Sequence, residues 1–374
     1  MSSAPRTRSD ARRNRVSGVL GSLTLTSLTL LYLFVLVLIT TLYQNAHPVR
    51  EATARFINAW FFFAGPVPLP AGQSVFAILL VNLTAGTATR IPWRWDRAGL
   101  FVVHVGLIAM VGAALVGHYL SRESVLALAE GEADAFSYDL RRWDLVAIAP
   151  EAGTVTTDAD ALRFPLEALP DRINGRPLEM VKRLPDARLV RDGAASVESV
   201  GGARDLAPED TRSPDEDRPV AGIVLRLGER TILLHGSDRR AFRVDDELSL
   251  RLLPRRYPLP ATIRLDRFEA TFYEGTRTPR SFRSEVTVLE PGVSRSATIA
   301  MNRPLRLGRH TLFQLGYNAT AETASVSILQ VVRNPLRWVP YAVSLLIAAG
   351  LILHAVTRMV QSRGASARSP GSEP

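Results

Sequence analysis

The chain has 374 residues, 47% hydrophobic and 22% charged, with a net charge of +9. That length holds two or three folding units at roughly 100–200 residues each, and its arginines are spread along the chain with no basic run interleaved with stacking aromatics, which argues against a nucleic-acid partner. It has no cysteine, so disulfides, CxxC redox chemistry, thiolate zinc sites and thioether-linked cofactors are excluded.

A basic tail, residues 1–18, carries five Arg against one Asp. Val19–Tyr43 follows, uncharged and about 37 Å long at 1.5 Å per residue, and reads as a first membrane span. Basic residues before an apolar run also begin a signal peptide. This run far exceeds the ~7–15 residues of a signal core and no A-x-A site follows, so it is expected to remain as an anchor. INAWFFFAGPVPLP (57–70) reads as an aromatic interfacial stretch whose prolines set an entry turn. Ala71–Thr89 is a weaker second span with Asn82 in its middle, and Ala98–Leu120 is a third. Together they make a three-helix transmembrane region, residues 19–120.

From Ser121 the pattern changes to short runs with period-two alternation and turn punctuation, the signature of strands. AGIVLRLGERTILLHGS (221–237), ATIRLDRFEATFYEG (261–275), RSFRSEVTVLEPG (280–292), HTLFQLGYN (310–318) and ASVSILQVV (324–332) are clear examples. Residues 191–219 are polar, rich in Gly and Pro and acidic towards their end. They are expected to form a flexible loop outside the core, whose 204–219 part could be deleted with little effect on folding. His235 and His310 sit beside strand-turn glycines with no partner motif for a nucleophile or a metal, so they read as turn histidines and no catalytic residue is assigned. A fourth span, roughly Leu336–Val356 within a segment 335–357, has Trp338 and Tyr341 at its start in the aromatic-belt position. A tail, 358–374, completes the chain.

The tail 1–18, RIPWRWDR (90–97) and RMVQSRGASARS (358–369) are Arg-rich, and the positive-inside rule assigns all three to the cytoplasm. Block 121–334 is then extracytoplasmic. The expected architecture is a membrane α+β protein of the inner (cytoplasmic) membrane, with four transmembrane helices, a large, mostly antiparallel extracytoplasmic β-domain between helices three and four, and both termini cytoplasmic.

The order and spacing of several patterns together resemble the ResB family of the system II cytochrome c maturation machinery. A short span ends in an Asn-Leu pair (Asn82–Leu83), an Arg loop follows, and the next helix carries H-x-x-L-x-x-x-x-G as His104, Leu107 and Gly112. A hydrophobic stretch then closes on Glu130–Glu132. Further on come an S-x-V element (Ser284–Val286) and an N-x-P-x-x-x-G…Q-x-x-Y segment, here Asn302, Pro304, Gly308, Gln314 and Tyr317. The exported block is short for the family, and the tryptophan-rich haem loop is absent because it belongs to the ResC-like partner. The resemblance implies a subunit that works with a ResC-like membrane protein to carry haem to the outer face and present it to apocytochrome c. That makes the chain at most an accessory part of a haem lyase complex. The other reading is a membrane-anchored β-domain scaffold that binds no haem.

An imidazole in hydrocarbon is costly and needs a partner. His104 lies six residues past Ala98, about 9 Å inside the cytoplasmic edge of the third helix, and His354 lies four residues before Arg358, about 6 Å inside the same edge of the fourth. His118 and His47 fall at the headgroup level. For His104 the candidate partners are Asn82, a helix carbonyl, or haem iron, for which a neutral imidazole is a standard axial ligand. The family's intramembrane histidine falls on His104, which favours iron with the second ligand supplied by another subunit. His354 is the further candidate haem contact.

Overall fold

A computed structural model describes residues 19–92, 94–148, 161–191, 197–209, 219–276, 278–320 and 323–366. The chain divides into two compact units, Met1–Ser121 with Asn334–Pro374, and Arg122–Arg333.

The first unit holds the helices α1 (Leu23–Tyr43), α2 (Val49–Phe56), α3 (Gly72–Arg90), α4 (Ala98–Leu120) and α5 (Val339–Ser366). The segments 23–43, 72–90, 95–120 and 339–361 are long and apolar enough to cross a membrane. The apolar run of the first span begins at Val19, yet α1 begins four residues later. Ser22 caps it, its Oγ accepting from the Leu25 amide at 3.1 Å. Gly21 lies so close to α3 that a Cβ there would come within 2.8 Å of the Gly86 nitrogen.

Asn82 explains why this break is tolerated. Its Nδ2 donates to the carbonyls of Leu20 (2.6 Å) and Ser22 (3.1 Å), and its Oδ1 accepts from Thr26 Oγ1 at 2.6 Å. The residue that weakened the second span by hydropathy is thus the polar clasp between α1 and α3, in the manner of membrane helices held by small residues and interhelical hydrogen bonds. It is 4% exposed.

The stretch read as an entry turn is a hairpin, Phe61–Ala64 paired with Val67–Pro70. Two prolines in four residues argue against a strand. They are accommodated because a two-stranded ribbon consists only of edges. Phe62 packs with Leu36, Phe56, Ala71 and Val75, and Tyr32 donates to the Pro70 carbonyl at 2.7 Å.

α4 matches its expected bounds, whereas α5 continues well past Arg358 to Ser366. The two pack antiparallel along a stripe of glycines. A Cβ on Gly99 would lie 2.6 Å from the Gly350 carbonyl, one on Gly106 would lie 2.5 Å from Ile347, and Gly117 faces Leu336.

The second unit is almost wholly antiparallel. Its large sheet runs in the order 293–300, 279–290, 249–272, 133–148, 122–128, 323–333, 310–320, 305–307. A smaller sheet orders 172–173, 176–184, 222–227, 230–235 and 198–199, only the last pairing being parallel. The strand Ser249–Phe272 spans the whole unit, its register shifting at Pro254 and after Pro258. Prolines that cannot donate to the ladder sit where the ladder is irregular, which is why the sequence pattern shows only its second half as a strand.

One core joins Trp143, Leu145, Leu250 and Leu252 to Ile223, Leu225, Ile232 and Leu234 of the smaller sheet. A second gathers Leu126, Ile263, Leu265, Val286, Leu312 and Leu329. Over this second core the large sheet curls until distant strands meet. Ser284 Oγ lies 2.6 Å from Gln314 Oε1 and 2.8 Å from Ser327 Oγ, although the strand of Ser284 neighbours neither of theirs in the sheet.

The loop 191–219 requires a correction. Within it Glu198–Ser199 and Asp205–Pro208 are strands, the latter paired with Ala187–Val190. Ala203 and Leu206 are 2% and 1% exposed, in a core with Ala187, Val224 and Leu233. Two apolar residues among acidic ones are enough to dock the segment, so removal of 204–219 would cut into core. Its 192–196 and 210–218 portions lie outside the described residues.

Candidate functional site

His104 is half-buried on α4, and its Nδ1 lies 2.9 Å from the Leu100 carbonyl one turn earlier. A carbonyl only accepts, so Nδ1 carries a proton, and in the neutral ring the lone pair is then on Nε2. Nε2 makes no hydrogen bond among the described residues. A backbone carbonyl that fixes the tautomer and orients the ring is the arrangement typical of metal-bound histidines, since it aims the remaining lone pair outward. The alternative partner Asn82 is fully occupied between α1 and α3.

His354 is placed differently. It lies on α5 against Gly99 of α4, and its Nδ1 is buried with no hydrogen-bond partner. Gly99, Val102, Val103 and Gly106 mark the side of α4 that meets α5. His104, five residues past Gly99, is turned about 140° away from that side. The two histidines therefore do not converge between α4 and α5. His104 would offer a single imidazole nitrogen to a metal-bearing group such as haem, and His354 would not join it from the α4–α5 contact.

The remaining histidines have local partners or surroundings. His47 stacks on Tyr43 at 3.7 Å, and its Nδ1 is 3.2 Å from the Tyr43 carbonyl. His118 packs edge-on to Tyr119. His235 is more than a turn residue, being 6% exposed with Nδ1 at 2.6 Å from Ser237 Oγ and Nε2 at 2.8 Å from the Ala187 carbonyl.

The motif residues of the β-unit prove to be architectural. Glu130–Glu132 forms a turn locked onto the long strand. Gly131 adopts φ +84°, a left-handed conformation suited to glycine, and its amide donates to the Leu265 carbonyl at 2.7 Å. Glu130 Oε1 accepts from the Phe268 amide at 2.6 Å, and Glu132 Oε2 from the Ala129 amide at 2.9 Å. Ser284 and Gln314 meet in the buried network across the curled sheet. Tyr317 joins Phe268 and Phe282, with ring centroids 5.5 and 5.2 Å away.

Sequence reasoning missed a basic pocket in the β-unit. A cavity of about 420 Å³ is lined by Arg122, Arg309, Arg333, His310 and Tyr257, with Ser124 and Ser137 also in its wall. The available signal was positional, an Arg at each end of the strand-rich block. Burial, then Arg333 and Arg122, holds the His310 imidazole below its ordinary range.

Comparison with known proteins places this geometry. Protein NrfI of Wolinella succinogenes is 25% identical over 339 residues, which cover 87% of this chain and 34% of that protein. The chain thus spans about a third of that relative's length. The sequence model of the ResB-like family matches residues 93–328, from the loop before α4 almost to the end of the β-unit. The match takes in His104, the Glu130–Glu132 turn and the Ser284–Gln314 network, and the chain belongs to the ResB-like family.

Proposed function

We propose that this chain is a haem-handling subunit of cytochrome c maturation. In this reading it acts with a ResC-like membrane protein to carry haem across the inner membrane and present it to apocytochrome c. Family membership and the likeness to NrfI support the maturation role. The observation that carries haem handling is the orientation of His104, with Nδ1–H committed to the Leu100 carbonyl and Nε2 left with its lone pair. When bound, haem would supply an iron centre that the His104 imidazole would hold. The chain's part is to hold the imidazole aimed, its ring oriented by the Leu100 carbonyl. Any further ligand would have to come from outside the α4–α5 contact, because His354 belongs to the other side of α4. The β-unit is extracytoplasmic in this scheme, as the Arg-rich flanks argue.

The test replaces His104 by Ala in the full chain co-expressed with its ResC-like partner. Co-purified haem, read from the Soret band, should fall sharply, and assembly of c-type cytochromes should fail. Membrane insertion should be unchanged, since methyl for imidazole makes the helix more apolar. Added imidazole should partly restore haem, and His118→Ala should have little effect. His354→Ala measures whether the imidazole with the unpaired Nδ1 contributes. Full haem and full cytochrome assembly in His104→Ala would overturn the ligand assignment, and a colourless wild-type preparation would favour the scaffold reading.

A further inference from the structure

The basic pocket of the β-unit is built on a row of like charges. In the ladder Arg122 stands opposite Arg333, and Arg333 stands opposite His310, on three adjacent antiparallel strands. Arg309 lies beside His310 in the same cavity. Like charges directly opposite one another destabilise a sheet. Several arginines elsewhere in this unit find acids, as Arg255 does with Asp144 at 2.8 Å and Arg226 with Glu179 at 2.7 Å. Arg122, Arg309 and Arg333 have no acidic partner among the described residues. The Asp139 carboxylate, bonded to the pocket residue Tyr257, is taken up by the Tyr257 hydroxyl at 3.0 Å and by the amides of Arg141 and Arg142. Glu123 alternates to the opposite face of its strand. The Arg122 guanidinium rests on the Tyr257 ring, 4.2 Å from its centroid, which holds it over the cavity.

Such a site recognises an oxyanion, and the planar guanidinium fork matches phosphate in particular. Chain connectivity indicates the source. Arg122 is the second residue after α4, so its backbone lies within about 7 Å of the end of that helix. At that end Trp60 Nε1 donates to the Tyr119 hydroxyl at 3.1 Å, and on the other side Arg333 is followed five residues later by the exposed Trp338 and then by Tyr341. Paired amphipathic aromatics of this kind mark the headgroup level. We propose that Arg122, Arg333 and Arg309, with His310, form a binding site for the phosphate of an anionic membrane lipid. The inference requires α4 and α5 to cross the bilayer and is independent of haem.

The experiment follows thermal melting of the detergent-purified full chain during titration with phosphatidylglycerol, with diacylglycerol of the same acyl chains, or with inorganic phosphate. Phosphatidylglycerol should raise the melting temperature in a saturable way, and the other two should not at matched concentration. In Arg122→Gln/Arg333→Gln the apparent affinity should drop roughly tenfold or more, the loss of two charge-assisted contacts. Without lipid the same variant should melt at or above the wild type, because the opposed charges are gone, so its lost response is separable from misfolding. A charge-matched control, Arg226→Gln/Arg243→Gln, should keep the full response. Equal protection by diacylglycerol or by inorganic phosphate overturns the assignment, as does an undiminished response in the pocket variant.

Discussion

His104 and His310 are both half-buried imidazoles, and their surroundings set them different tasks. His104 spends one nitrogen on its own helix and keeps the other, which suits a ligand. Burial first, and then the charges of Arg333 and Arg122, oppose protonation of His310, so its folded pKa lies below the unfolded value of about 6.5. The unfolded chain then binds more protons than the folded one as pH falls through this range. The corresponding stability is full above about 6.5 and is lost as pH drops through the folded pKa. The melting temperature of the purified chain should therefore fall between roughly pH 7.5 and pH 5.5 more steeply for the wild type than for His310→Gln. Parallel curves for the two proteins would show that another group governs the acid limb. The histidines were visible in the sequence as positions. What each nitrogen touches depended on the turn of a helix or the register of a sheet.

At the scale of elements, polar composition misled in two places for one reason. Asn82 lowered the hydropathy of α3 and yet is what joins it to α1. The acidic stretch around Asp205 looked like solvated loop, yet Leu206 is fully enclosed, and Lys182, the only lysine of the chain, reaches across to Asp205 Oδ1 at 2.7 Å. Averages over a window hide the single residue that docks it. Leu206→Ala should cost about 2–5 kcal/mol in denaturant unfolding, as for other leucines removed from a core. A change within about 0.5 kcal/mol, the range of surface substitutions, would return the segment to loop. The strand Ser249–Phe272 and the hairpin Phe61–Pro70 were hidden by prolines, which are compatible with strands only at bulges and edges that local pattern does not reveal.

For the molecule as a whole, the Arg-rich flanks argue for a cytoplasmic N-terminus, an exported β-unit and a cytoplasmic C-terminus. Alkaline phosphatase fused after Gly292, in a turn of the β-unit, should be active in whole cells, and fused after Arg363 it should be inactive. The reverse pattern would invert the topology and, with it, the leaflet whose lipids the basic pocket could reach.

By itself the sequence determined the apolar spans, the strand-rich block between the third and fourth of them, and the family. These follow from hydropathy, alternation and the order of motifs, all of which are local or additive along the chain. Only the tertiary structure decided that Glu130–Glu132, Ser284 and Gln314 are fastenings of a curled sheet. It also decided that His104 and His354 lie on different sides of α4, and that Arg122, Arg333 and His310 form one row. Those facts rest on contacts between residues as many as 255 positions apart, from Gly99 to His354. Pairing partners at such separation are set by strand register and helix rotation, and neither is written in any one segment of the chain.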